Sequence, residues 1–186
     1  MPKLIDDNVV FRAAVDVFVA CGYEKATTKN IADAAGIHEA TLFRKYGSKF
    51  NLVEQAIAAQ FREVSLAKLA YTGDLQADLL AVIIAYLETS AMVGDILPIL
   101  LTEIPRNPEL KAALGTAWQN IASISGILEQ YQAQGILKAE PVLNSISVLL
   151  GPLMVRHLIE RADQDFPLPA IEPQMYVDNF LHGRLV

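Results

Sequence analysis

Between Ile37 and Tyr46 the chain presents His38, Glu39, Ala40, Thr41, Arg44 and Lys45 at spacings that put them on one side of a short helix. Guanidinium, ammonium, imidazole and hydroxyl groups bond phosphate oxygens and base edges, a carboxylate accepts from a cytosine amine, and a methyl group fits a thymine methyl. The chemistry on offer is therefore recognition of nucleic acid. A reaction centre is not advertised. His38, His157 and His182 stand far apart, Cys21 is the single thiol, no Cys/His cluster has metal-ligand spacing, and no glycine-rich phosphate loop follows a strand. No enzyme activity, cofactor or metal is expected, and Cys21 reads as packing in an apolar helix face.

Two short helices joined by a glycine turn must position those groups. Thr27 can N-cap the first by accepting from the free amides at Lys29 or Asn30, Ala32 lets the second helix cross closely, and Gly36 can take the positive φ that ends the first. Ile31, Ala35, Ile37 and Leu42 then point inward, which gives a helix-turn-helix. Val10, Ala14, Val17, Phe18 and Cys21 recur at three- and four-residue steps on a helix before it, and Phe50, Val53, Ile57 and Phe61 on a helix after it. These two close a small core over the outward-facing helix.

Gly22-Tyr23-Glu24, Thr27 with Ile31-Ala32, Ala35-Gly36-Ile37, and Thr41-Leu42-Phe43 with Tyr46-Gly47-Ser48-Lys49 fall in the order and spacing of the TetR family of bacterial repressors, which the chain resembles over roughly Val9 to Phe61. The resemblance implies an all-α protein: a three-helix DNA-binding head at residues 1–48 and a helical effector-binding and dimerisation body at 49–186. Helices are implied at about Asp7–Cys21, Thr28–Ala35, His38–Tyr46 for recognition, and Lys49–Leu66. Thr27 and Lys29 would hold one phosphate and Lys49 a second, while His38, Glu39, Ala40 and Thr41 face the major groove, with Arg44 and Lys45 a turn further on. Two departures stand out. Phe43 replaces the usual tyrosine and is expected to keep its packing while losing its phosphate contact; Tyr46 replaces the usual phenylalanine, and its hydroxyl is expected to restore such a contact.

Composition bounds the remainder. Of 186 residues, 53% are hydrophobic and mean hydropathy is +0.31, more apolar surface than one core absorbs, which points to a subunit interface. No uninterrupted apolar run of about 18 residues occurs, and Met1-Pro2-Lys3-Leu4 does not begin a signal peptide, so a cytoplasmic location is expected. The net charge of −6 is unevenly spread: residues 1–62 hold eight Lys/Arg against seven Asp/Glu, the rest seven against fourteen, and Lys25 to Phe50 five against two. The acidity lies in the body and a basic patch in the head.

Beyond Leu66 the chain reads as helix throughout, without repeats. Spans are expected at about Leu75–Ser90, Ile96–Ile104, Glu109–Gln134, Pro141–Arg161 and Glu172–Leu185, for about nine helices in all, with Gly135 as a C-cap. Leu143, Ile146, Leu150, Met154 and Leu158 form one stripe and Met175, Tyr176, Phe180 and Leu181 another, a candidate homodimer interface; a head this small needs a second a helical turn away (~34–36 Å) on a partly palindromic operator. By resemblance the middle helices hold a small effector, and Tyr86, Met92, Glu103, Trp118, Asn120, Ser123 and His157 are its candidate contacts; the apolar tone of these helices favours a hydrophobic or aromatic molecule. Pro98 and Pro152 are expected to bend their helices. The competing class is a protein-interaction adaptor that keeps the helix-turn-helix as scaffold, distinguished by the absence of sequence-specific, salt-dependent duplex binding.

Overall fold

The computed structural model describes residues 6–182 and Leu185. Nine α-helices run through these residues in the order α1 (Asp7–Lys25), α2 (Thr28–Ala35), α3 (Glu39–Tyr46), α4 (Lys49–Glu63), α5 (Leu75–Val93), α6 (Ile96–Glu103), α7 (Gly115–Ala133), α8 (Val142–Ala162) and α9 (Pro173–Leu181). Ser65–Lys68 and Pro108–Leu114 are 3₁₀ turns, and the one strand-like feature described is a bridge between Leu137 and Leu185.

The chain divides into two compact units. The first comprises the described residues up to Glu63 together with Asp95–Ala117, the second Val64–Gly94 and the described residues from Trp118 onward. In the first unit α1 packs on α2, α4 and α6, and α3 packs on α2 and α4. Val10, Ala14, Ile31, Ala32, Leu42, Tyr46, Leu52 and Ala56 form its buried centre, with Ala35 and Ile37 half-buried against it. The apolar periodicity of α1 and α4 is thus spent on holding α2 and α3.

Several boundaries differ from the sequence expectation for identifiable reasons. Helix α1 continues past Cys21 to Lys25 across a kink at Gly22, whose φ of 76° is costly for any side-chain-bearing residue. Glu103 occupies the space a Cβ would need there: its Oε1 lies 2.6 Å from that position. The span expected as one helix from Glu109 is instead a 3₁₀ turn at Pro108–Leu114 followed by α7. Three residues per turn align Leu110 with Ala113, both buried, and this segment packs on α4 and α6. Helix α4 stops at Glu63, and α9 stops at Leu181; residues 183 and 184 of the expected last helix lie outside the described residues.

In the second unit α5 packs on α8, α9 and the Ser65–Lys68 turn. Asp78 is buried in α5 and accepts from the Thr72 amide (2.9 Å), the Thr72 hydroxyl and the Tyr131 hydroxyl (2.5 Å), which ties α7 and the turn before α5 together. Burial pushes its carboxyl up, but the Thr72, Tyr131 and Gly73 donors outweigh this and hold it below the usual range. Helices α5 and α8 are each long and apolar enough, by length and composition, to cross a bilayer, although charged residues such as Asp78, Glu88 and Arg156 interrupt them.

The expected α8 stripe is rotated. Ile146 and Leu150 are buried, as are Leu149 and Leu153, so this face closes the subunit's own core; Leu143, Val148, Val155 and Leu158 are the exposed apolar residues of the helix. On α9, Phe180 and Leu181 are buried, Tyr176 is half-buried with its hydroxyl donating to the Leu149 carbonyl (2.8 Å), and Met175 is exposed. One turn of α8 thus supplies side chains to both faces, which an alternation of apolar residues alone does not separate.

Candidate nucleic-acid interface

The turn between α2 and α3 is built from the residues that sequence chemistry demands. Thr27 N-caps α2, its hydroxyl oxygen accepting from the Asn30 amide at 3.1 Å. Gly36 ends α2 in the left-handed region (φ 66°, ψ 34°), its amide donating back to Ala32 and Asp33 carbonyls. His38 then occupies the N-cap of α3 without a side-chain bond and stays exposed. From that start the three- and four-residue period buries Leu42 and Tyr46, leaves Thr41 half-buried, and exposes Glu39, Ala40, Phe43, Arg44 and Lys45. Thr27 and Lys29 are exposed at the start of α2.

The exposed face is nevertheless partly tied down. Glu39 accepts from the Thr28 hydroxyl at 2.5 Å, linking the first turns of α2 and α3. A carboxylate among phosphates thus has a donor of its own, and Thr28 is a residue the sequence reading did not single out. At the far end of α3, Asp7 accepts from both the Lys45 ammonium and the Tyr46 hydroxyl. The Lys45 and Tyr46 hydrogen bonds hold the Asp7 carboxyl below its usual range, while burial and then Asp7 push the Tyr46 hydroxyl up. Asp7 also went unnoticed in the sequence; its place in the first turn of α1, where an acid complements the helix dipole, was the available signal.

Three expectations change accordingly. Tyr46 is 6% exposed with its hydroxyl committed to Asp7, so it anchors α3 rather than meeting a phosphate. Lys49 lies over the Tyr23 ring, 4.1 Å from its centroid, and donates to the Tyr23 carbonyl at 2.7 Å; its ammonium braces α4 against the end of α1. Phe43 is the reverse case: it is 61% exposed and stands outside the buried centre of the head. The larger aromatic requirement of the core is met one turn away, by Tyr46 against Phe11 with centroids 5.8 Å apart.

Residues 10–56 match the profile of bacterial regulatory proteins of the tetR family, and residues 69–170 match that of a tetracyclin repressor-like C-terminal domain. The chain belongs to the TetR family of transcriptional regulators. Among curated relatives, YvkB of Bacillus subtilis strain 168, an uncharacterised HTH-type transcriptional regulator, is 38% identical over 95 residues, half of each chain. Mb1581 of Mycobacterium bovis, likewise an uncharacterised HTH-type regulator, is 28% identical over 74% of this chain and 69% of its own length. The match thus spans about half the length of the first relative and about two thirds of the second. The solved structure of a flavonoid-responsive regulator, FrrA, shares the fold with a TM-score of 0.66 at 22% identity, over 96% of both chains.

In the helices of this TetR-family chain where an effector was sought, the candidate residues do not form one set. Glu103 lies in the first unit, against Gly22 and accepting from the Asn107 amide at 3.1 Å. The others lie in the second. Trp118 and Met92 are exposed, Asn120 is buried, and the half-buried Ser123 donates to the carbonyl of Gln119 in its own helix (3.2 Å). The His157 imidazole sits where a Cβ on Gly94 would be, with Nε2 2.7 Å from that position, so it packs on the end of α5. Tyr86 is half-buried, and burial, then neighbouring Tyr176, pushes its hydroxyl up to about 12. Sequence reasoning missed Thr89, one turn from Tyr86, whose buried hydroxyl has no hydrogen-bond partner among the described residues.

Proposed function

We propose that the protein is a homodimeric repressor that holds a partly palindromic operator through α3 and leaves it on binding a small hydrophobic or aromatic molecule in its helical body. The observation that carries the DNA reading is the division of α3: Leu42 and Tyr46 are locked in the core, so His38, Ala40, Phe43 and Arg44 project as a fixed crown. Residues 1–48 act as the reading head, with Thr27, Lys29 and Arg44 the cations and hydroxyls offered to phosphates and bases, and 49–186 as the body. Such a protein works in the cytoplasm and performs no catalysis.

Dimerisation is supported by the exposed apolar residues Leu143, Val148, Val155 and Leu158 on α8, with Met175 on α9. Large apolar side chains left in water in such number on one helix are ordinarily covered by a partner. For the effector, the orphan hydroxyl of Thr89 beside the half-buried Tyr86 on α5 favours a ligand with an apolar body and a hydrogen-bonding group. A flavonoid, to which the structurally similar FrrA responds, has that character.

Gel-shift titration of the purified protein against the DNA upstream of its own gene tests the reading. A complex of two subunits per site that survives competitor duplex and weakens with salt is the expected result. Failure to enrich any sequence from a random duplex pool refutes it and favours the adaptor.

A further inference from the structure

Phe43 stands on the outer face of α3 with most of its ring in water, and a phenyl ring has no group with which to bond that water. It is three residues from Ala40, which is also exposed, so the two share a face of the helix. Helical side chains lean toward the N-terminus, which carries the ring over the turn that bears Glu39 and Ala40. The polar alternatives nearby are already committed: Glu39 accepts from Thr28, Lys45 is paired with Asp7, and Thr41 is half-buried. Ala40 and Phe43 thus form the apolar part of a crown that His38 and Arg44 flank with polar groups.

We infer that Ala40 and Phe43 together read thymine by its C5 methyl group, an inference that rests on the operator-binding role of α3. Along the floor of the major groove the thymine methyl is the distinctive apolar feature; guanine, adenine and cytosine offer acceptors and amine donors there. A ring laid on that methyl removes apolar surface from water on both partners, whereas cytosine places an amine donor beside a ring that cannot accept it well. Phe43 thus sets sequence preference rather than general affinity, and each half-site should carry thymine at one or two neighbouring positions.

Deoxyuridine isolates the methyl, because it differs from thymidine by that group alone. The full-length protein first selects its site from a random duplex pool; each thymine of the enriched site is then replaced singly by deoxyuridine and Kd measured by fluorescence anisotropy. Wild-type protein is expected to bind about four-fold more weakly for each methyl that Phe43 covers, the ratio that burial of one such group corresponds to. Phe43→Ala should bind the thymine duplex more weakly and show no loss at those same positions, and Phe43→Leu should retain part of the discrimination. Because Phe43 stands outside the buried centre of the head, both variants are expected to keep the wild-type circular dichroism spectrum. Equal affinity for thymine and deoxyuridine duplexes overturns the inference while leaving operator binding intact, and so does an undiminished methyl effect in Phe43→Ala. A pool from which nothing is enriched overturns the operator reading itself and this inference with it.

Discussion

Replacing Asp7 by alanine separates what α3 owes to its anchor from what it owes to the core. Asp7 receives two donors, the Lys45 ammonium and the Tyr46 hydroxyl. The ion pair is weak, because the Lys45 and Asp7 side chains are 36% and 48% exposed; after solvent screening it contributes about 0.5 kcal/mol. The hydroxyl is different. The Tyr46 residue is buried, and a donor left there without an acceptor costs about 1–2 kcal/mol. Asp7→Ala is therefore expected to lower stability by about 1.5–2.5 kcal/mol in urea unfolding at fixed subunit concentration. Asp7→Asn keeps an acceptor for the hydroxyl and loses only the charge, for about 0.5 kcal/mol. Tyr46→Phe removes the donor, so the alanine substitution should cost about 1 kcal/mol less on that background. A coupling near zero, or equal effects of alanine and asparagine, refutes the anchor. The DNA readout runs the other way: Asp7→Asn frees Lys45, and the slope of log K against log salt should steepen by about 0.9 for each phosphate it then reaches.

Acid should weaken the fold through Asp7 and Asp78. Both carboxyls lie below the ordinary value of 3.8 in the folded chain, so the stability they contribute is complete above that value and is lost as pH falls through their depressed values; Asp78→Asn should flatten that loss in pH-dependent urea unfolding. Gly22→Ala places a side chain at φ 76° and ψ 173°, a region that is essentially glycine's alone, and is expected to cost about 1–3 kcal/mol in backbone strain, seen as a fall in thermal midpoint, with Glu103→Ala recovering the added steric part but not the backbone part. If the proposed dimer forms through α8, Val155→Glu, which puts a charge on its exposed face, should give monomer in sedimentation equilibrium, with operator affinity falling at least ten-fold, on the order of the 1.4 kcal/mol that a factor of ten represents. A dimer unaffected by that change would move the interface elsewhere.

The head was legible in the sequence because its constraints are local. Thr27 as N-cap, Gly36 as the left-handed turn, and α2 at Thr28–Ala35 depend on residues within a few positions of one another. What escaped were contacts across long stretches of chain. Asp7 and Tyr46 meet across 39 residues, and nothing in the local pattern around Tyr46 says that its hydroxyl turns inward. Lys49 was singled out as a phosphate contact, but its internal partner escaped for the same reason, since that partner is a main-chain carbonyl that any residue at position 23 would supply. In the body the period of the apolar residues located α8 and α9 but not their orientation. Apolar residues stand on more than one side of α8, so Ile146 and Val148 are chemically alike while one is buried and the other exposed. Candidate effector residues rested on location alone, and Glu103 shows the consequence: it lies in the compact unit that contains the head.

The internal bonds of the head also bear on how such a protein divides affinity from specificity. A local excess of basic residues between Lys25 and Phe50 suggests strong attraction to phosphates, yet two of the five have partners within the head: Lys45 is paired with Asp7, and Lys49 is held over Tyr23. Lys25, Lys29 and Arg44 remain exposed. Phosphate attraction acts on any duplex, so reducing it weakens non-specific binding in the same proportion as specific binding and leaves base contacts a larger share of the total. The tied residues meanwhile fix α3 at its first turn, through Glu39 and Thr28, and at its last, through Tyr46 and Asp7. A helix held at both ends presents its crown without further ordering on binding, and less conformational entropy is then lost in the complex. On the proposed reading, Asp7 thus gives up some general attraction for a recognition helix held in place, while the ratio of specific to non-specific binding stays with the base contacts.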